Sequence, residues 1–183
     1  MNALHIDGRA VALVCAILLC GASTPALAQT AQIRTEYLMT YLAPLDPPTV
    51  IDGGLQVFNV RPGGWVKGPT INGAFVAPGG DWLRTMPSGV FRLDVRGTIR
   101  TDDGADIYVS YNGVIQHSQQ GVERLMKGEV LTDKDVPYFV TAPTFQTSSP
   151  KYAWLNGVQA IGKMVELKAG EGGYVKYDVF VVR

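Results

Sequence analysis

The sequence predicts an all-β protein folded as a single antiparallel β-barrel of about eight strands, with at most one short helix. Three observations predict it. Short segments alternate apolar and polar residues and are separated by clusters of Gly, Pro, Asn and Asp. An Asp-Gly turn at Asp102-Asp103-Gly104 joins two such runs. Only Gln119 to Lys127 carries apolar residues (Val122, Leu125, Met126) at helical spacing.

The first 28 residues have the three parts of a secretory leader. Arg9 is the positive flank, and Ala10 to Leu19 is an apolar run. Small residues then prepare cleavage at Ala26-Leu27-Ala28, leaving Gln29 as the mature start. A spanning helix needs about 20 apolar residues, roughly twice this run, so an uncleaved anchor is disfavoured. The reading is a cleaved signal over 1–28 and one domain over 29–183, exported to the periplasm or the medium. Cleavage removes Cys15, Cys20 and one of the two histidines, so the mature chain has no thiol and keeps only His117. A histidine-rich metal site within one chain is thereby excluded, and no metal or cofactor is called for.

Along the mature chain, Gln29–Arg34 reads as a loose lead-in. Strands are expected over Thr35–Ala43, Leu55–Val60, Gly64–Val76, Val90–Thr101, Asp106–Gln116, Tyr138–Thr141, Trp154–Leu167 and Tyr174–Val182. In Val90–Thr101, Phe91, Leu93, Val95 and Ile99 share one face, and Arg92, Asp94, Arg96 and Arg100 the other. In the last strand Val175, Tyr177, Val179 and Val181 form the apolar face. Ser118–Pro137 reads as an excursion with a short helix that stops at Gly128 and packs over one end of the sheet. Once Asp7 and Arg9 leave, acidic and basic residues stand at 15 each, a balance with no long-range attraction for nucleic acid. No apolar run after Ala28 is long enough to span a membrane as a helix.

Most motif matches dissolve on inspection. Gly157 to Lys163 has phosphate-loop spacing, but Met164 stands where a hydroxyl should bind magnesium and the flanks read as strand. Asp102, Asp103 and Asp106 suggest calcium ligands, yet a hairpin turn accounts for all three. His117, alone at a strand end, reads as a turn residue. Two features remain. The glycine-rich loop Ala77-Pro78-Gly79-Gly80-Asp81-Trp82 sets an acceptor beside a flat apolar face, the chemistry of a small-molecule pocket or else of a tight turn plugged by Trp82. Tyr138 to Asn156 is dense in aromatic and polar side chains, which suit a pocket or an aromatic core. Asp94 and Arg96 are site candidates only if their face points into the lumen, and alternation does not decide which face that is.

These pieces together resemble one family, the bacterial and fungal proteins grouped as Domain of Unknown Function 3237. The resemblance rests on an ordered set: Gly68-Pro69, Asn72-Gly73, Gly79-Gly80-Asp81-Trp82, Leu93-Asp94-Val95-Arg96, Thr101-Asp102-Asp103-Gly104-Ala105, Tyr138-Phe139, Phe145-Gln146-Thr147 and Tyr152-Ala153-Trp154-Leu155-Asn156. It implies a compact antiparallel β-barrel and brings no assigned activity.

The functional expectation is a barrel that binds a small, partly apolar molecule, aromatic or carbonyl-containing. Trp82, Tyr152 and Trp154 supply apolar walls, and Asp81, Asp94, Arg96, Tyr138 and Asn156 fix orientation. The rival is a cofactor-independent isomerase, cyclase or lyase in which Asp81 or Asp94 takes a proton while Arg96 and Tyr138 steady oxyanion charge. A raised carboxylate pKa inside the pocket is what separates the rival from the binder. An interaction module using the outer face ranks third. The leader gives a direct prediction: mass spectrometry of the protein recovered from the envelope or medium of a bacterial host finds Gln29 at its amino terminus. Recovery of the uncleaved chain alone would refute the export reading.

Overall fold

The computed structural model describes residues 31–183; the leader and its cleavage site lie outside the described residues. Among the described residues, eleven strands, one α-helix and one 3-10 helix follow in chain order. They are β1 (Thr35–Pro44), β2 (Thr49–Val50), β3 (Leu55–Asn59), β4 (Trp65–Lys67), β5 (Gly73–Thr85), β6 (Phe91–Thr101), β7 (Asp106–Gln116), α1 (Gln119–Met126), β8 (Val130–Thr132), β9 (Tyr138–Gln146), the 3-10 turn Ala153–Gly157, β10 (Ala160–Lys168) and β11 (Tyr174–Val182). Eight of the strands close into an antiparallel barrel in the order β5-β4-β1-β11-β10-β9-β7-β6, with β6 returning to β5. The short β2–β3 ribbon extends from the outer part of β5, and β8 pairs with β10. Among the described residues no helix is long and apolar enough to cross a membrane.

Alternation explains the closure. In β6, Leu93, Val95, Gly97 and Ile99 are buried while Arg92, Asp94, Arg96 and Arg100 are exposed. The hairpin to β7 turns where expected: Thr101 N–H donates to Ala105 C=O at 2.9 Å, and Gly104 supplies φ of 86°. The core gathers large inward side chains from around the barrel, among them Met39, Tyr41, Phe75, Phe139, Met164 and Tyr177. The excursion after β7 carries α1, capped by Ser118, whose Oγ accepts the Gly121 N–H at 3.0 Å. Leu125, Leu131 and Val136 from this segment pack against the core, so it covers the barrel end formed by Gln116 and Tyr138. Met126 points away, 82% exposed, unlike its place in the expected helical stripe.

Four expectations need correction. Gly64–Val76 is two strands, because the chain turns at Gly68–Asn72: the Asn72 side chain accepts the Gly68 N–H at 3.3 Å and donates to the Gly68 C=O at 3.1 Å. The expected loop Ala77–Trp82 is instead the bulged centre of β5, which carries the cis Ala77–Pro78 peptide and is paired on both edges beyond it. Trp154–Leu167 begins as a 3-10 turn, since Asn156 Oδ1 accepts the Thr147 N–H and its Nδ2 donates to the Thr147 C=O, both at 2.9 Å. Arg34, placed in the loose lead-in, exchanges two backbone hydrogen bonds with Arg183 at 3.1 and 2.8 Å.

The bulge in β5 sets the position of every residue beyond it on that strand. Between Val76 and Gly80 the register against β6 shifts, with Ala77, Pro78 and Gly79 set against Gly97 alone. Gly97 is needed there: a Cβ on it would stand 2.4 Å from Phe75 Cζ and 2.6 Å from Phe75 Cε1. Phe75 in turn stacks on Tyr41, with ring centroids 5.2 Å apart. Gly97→Ala is therefore expected to cost about 1–3 kcal/mol by forcing the buried ring from its place. Chemical denaturation of the variant beside the parent measures it, and an unchanged midpoint would contradict this packing.

Candidate functional site

Asp81 is the one sequence-predicted candidate whose carboxyl enters the barrel. It lies on β5 directly opposite Val95 of β6, and opposed residues of an antiparallel pair share a face. Val95 is buried in the core, so Asp81 faces inward, while keeping partial access to solvent. Its Oδ1 accepts the backbone N–H of Asp94 at 3.2 Å. Burial pushes its pKa from the ordinary 3.8 up to about 7; the Asp94 N–H opposes the rise, and the Asp94 charge adds to it.

Three tyrosines that the sequence reading did not single out as site residues share this interior. Tyr111 of β7 stands opposite Val95, which places Asp81, Val95 and Tyr111 in one row across three strands. Tyr41 of β1 and Tyr177 of β11 face each other in register, with ring centroids 5.3 Å apart. Tyr111 meets Tyr177 edge-on at 6.0 Å, and Phe139 meets it at 5.5 Å. Burial, first, and then neighbouring phenols and the Asp81 charge hold all three pKa values well above the usual 10. They are neutral phenols at any physiological pH. The Tyr41 hydroxyl is buried with no hydrogen-bond partner among the described residues. The signal that marks these positions is parity: each tyrosine occupies the apolar face of its strand, Tyr177 between Val175 and Val179, Tyr111 between Val109 and Gly113, Tyr41 between Met39 and Ala43.

The other candidates lie elsewhere. Asp94 and Arg96 are on the outer face, ion-paired at 3.2 Å with both side chains about half exposed. The Arg96 guanidinium sits over the Trp82 ring at 5.6 Å, and Trp82, 37% exposed, is an outer-face residue and not a core plug. The lumen-facing arrangement of Asp94 and Arg96 is thus excluded, because Leu93, Val95 and Ile99 take the inward positions. Tyr138 opens β9 at 42% exposure. Tyr152, Trp154 and Asn156 belong to the opposite end of the barrel. Tyr152 is buried, its hydroxyl donating to the Asp103 carboxylate at 3.1 and 3.2 Å. Lys151 Nζ at 2.6 Å and the Thr101 hydroxyl complete the set of donors to that carboxylate. They hold the Asp103 pKa down to about 2, led by the Lys151 bond. Trp154 lines a 230 Å³ depression with Tyr37, Pro69, Thr70 and Arg183. Asn156 borders an open 580 Å³ depression with Thr98, Tyr108 and Gln146. Neither depression includes Asp81.

Comparison with known proteins gives the same picture of fold without an activity for most relatives. A family model described as "Protein of unknown function (DUF3237)" matches residues 33–182. A UPF0311 protein of Clostridium acetobutylicum is 40% identical over 92 residues, half of this chain and 58% of its own length. A UPF0311 protein of Rhodopseudomonas palustris is 33% identical over 129 residues, 69% of this chain and 84% of its own. The crystal structure of a conserved protein of unknown function from that organism superposes with a TM-score of 0.74 at 30% identity, over 85% of this chain and 100% of that one. The hydroalkoxylation enzyme phnH of Penicillium herquei is 32% identical over 112 residues, 61% of this chain and 58% of its own length.

The titration of Asp81 has a consequence for stability. Its folded pKa, about 7, lies above the ordinary 3.8, so between those values the native chain holds a proton that the unfolded chain releases. Asp81 therefore costs nothing below about pH 4, and its penalty grows as pH rises to about 7. Asp81→Asn is expected to match the parent at pH 4 and to exceed it at pH 8 by up to about 4 kcal/mol. Urea denaturation at both pH values checks this, and equal stabilities at pH 8 would mean that the carboxylate is not penalised by burial.

Proposed function

The chain belongs to the DUF3237 family of proteins of unknown function, and from that premise we propose that it is an acid–base enzyme of the isomerase, cyclase or lyase kind. Its substrate is a small, partly apolar molecule, aromatic or carbonyl-containing, and Asp81 is the group that moves the proton. The observation that carries this reading is a carboxyl inside the barrel wall, held near neutrality by burial and set among three neutral phenols. A side chain with a pKa near the working pH takes and returns a proton with comparable ease. The sequence alone ranks simple binding first; a carboxyl raised to about 7 by burial favours the enzyme reading over it.

In this reading Asp81 as carboxylate removes a proton from one substrate atom and, as the acid, delivers it to another. The substrate changes its bonds while its atoms and its oxidation state balance. The phenols of Tyr41, Tyr111 and Tyr177 are the donors suited to a developing oxyanion in this interior. Kinship with a hydroalkoxylation enzyme supports the cyclase variant. Addition of an O–H across a C=C bond moves a proton from oxygen to carbon as the C–O bond forms. Protonated Asp81 would supply the carbon, and the hydroxyl proton would restore the acid. The leader read over 1–28 supports a place for this chemistry in the periplasm or the medium.

A panel of aromatic and carbonyl metabolites, followed by mass spectrometry and chiral chromatography, is the direct test. The parent converts at least one of them, kcat/KM changes with an apparent pKa near 7, and Asp81→Asn loses about 10²-fold or more in kcat. Turnover that survives in Asp81→Asn would remove the carboxyl from the mechanism. Tight ligand binding with no turnover by the parent would return the protein to the binder class.

A further inference from the structure

We propose that the Tyr41 hydroxyl is the anchor for a carbonyl oxygen of the ligand, so that the barrel selects ketones and enones over hydrocarbons of the same shape. The proposal rests on the acid–base reading of the interior around Asp81 and names the substrate class of that site. Tyr41 is 1% exposed, and its hydroxyl is the buried side-chain polar atom left without a partner among the described residues. Leaving such a group unpaired costs about 1–3 kcal/mol, and a Phe in its place would avoid the penalty. The ring is packed against its neighbours. Phe75 stacks on one face at 5.2 Å, Tyr177 leans on it at 5.3 Å, and the backbone of β1 is paired to Val66 of β4 and Tyr177 of β11.

The chemistry of the unmet partner can be read from the phenol itself. A phenol that stays neutral has one O–H to donate; the Tyr111 hydroxyl is its neighbour but does not reach hydrogen-bonding geometry, so what Tyr41 lacks is an acceptor that does. A carbonyl oxygen is a neutral acceptor that enters an apolar interior at small desolvation cost. It becomes a stronger acceptor as charge develops on it. Asp81 faces the same interior, near enough for its charge to act on the Tyr41 phenol. With the oxygen held at Tyr41, Asp81 can take a proton from the carbon beside the carbonyl, leaving the electron pair on an enolate oxygen. Returning the proton to a different carbon completes an isomerisation, and no oxidant is consumed. Phe75, Phe139 and Tyr177 make the buried surroundings of Tyr41 aromatic.

The test uses the folded mature chain and two probes of matched shape, acetophenone and α-methylstyrene, in which C=O is replaced by C=CH₂. The parent binds the ketone about tenfold tighter than the alkene, and the carbonyl infrared band of ¹³C-labelled acetophenone shifts to lower frequency when bound. Tyr41→Phe abolishes most of that shift and most of the ketone preference, with alkene binding unchanged. Equal binding of the two probes by the parent, or a band position unaffected by Tyr41→Phe, would overturn the proposal. The parent comparison and the band shift decide it even if the variant folds poorly. The band reports the oxygen anchor alone and the Asp81→Asn turnover assay reports the proton transfer alone, so failure of either reading is seen without the other.

Discussion

Closure of the sheet through the β5–β6 pairing is the constraint on which the rest depends. An open sheet of the same strands would leave its edge residues and one whole face to water. Once β6 returns to β5, every inward position on eight strands shares one interior, and a polar side chain there trades water for whatever its neighbours offer. The properties of the candidate site arise from that enclosure. Asp81 is displaced toward neutrality, three phenols are kept protonated far beyond their usual range, and the Tyr41 hydroxyl has no partner in hydrogen-bonding geometry among the described residues.

Two aspartates of this chain make the point by contrast. Asp103, at the turn that follows β6, receives Lys151, the Tyr152 hydroxyl and the Thr101 hydroxyl, and its pKa falls to about 2. Asp81 receives a single backbone N–H inside an apolar enclosure and rises to about 7. The first arrangement stabilises an end of the barrel by tying the 3-10 segment to the β6–β7 hairpin. The second weakens the fold whenever the carboxyl is ionised. A costly, under-satisfied group kept in a well-packed interior is the usual mark of a site whose purpose is not stability.

The packing that surrounds Asp81 is specified by small residues as much as large ones. Gly97 leaves room for the Phe75 ring, Phe75 fixes Tyr41, and the bulge opposite Gly97 lets β5 continue as a strand to deliver Asp81 opposite Val95. On the reverse of the same wall, Trp82, Arg96 and Asp94 form an exposed cluster of a cation, a ring and a carboxylate. Neighbouring residues of one strand thus serve two unrelated environments.

Strand character, the Asp-Gly hairpin and the excursion with a short helix over Ser118–Pro137 were all legible in the sequence, because each depends on local periodicity or on the backbone demands of a few residues. The family resemblance, an ordered set of short motifs, was legible for the same reason. Which face of Val90–Thr101 turns inward was not, since alternation is symmetric until some partner surface exists to bury one side. Asp94 and Arg96 therefore looked equivalent to Asp81 and proved to face solvent, while Tyr41, Tyr111 and Tyr177, far apart along the chain, carried no signal that they would meet. By itself the sequence determined a barrel with a carboxylate in a glycine-rich segment. Only the closed structure decided that this carboxylate would lie inside among phenols, because distance, burial and the loss of water are properties of the assembled wall and not of any one strand.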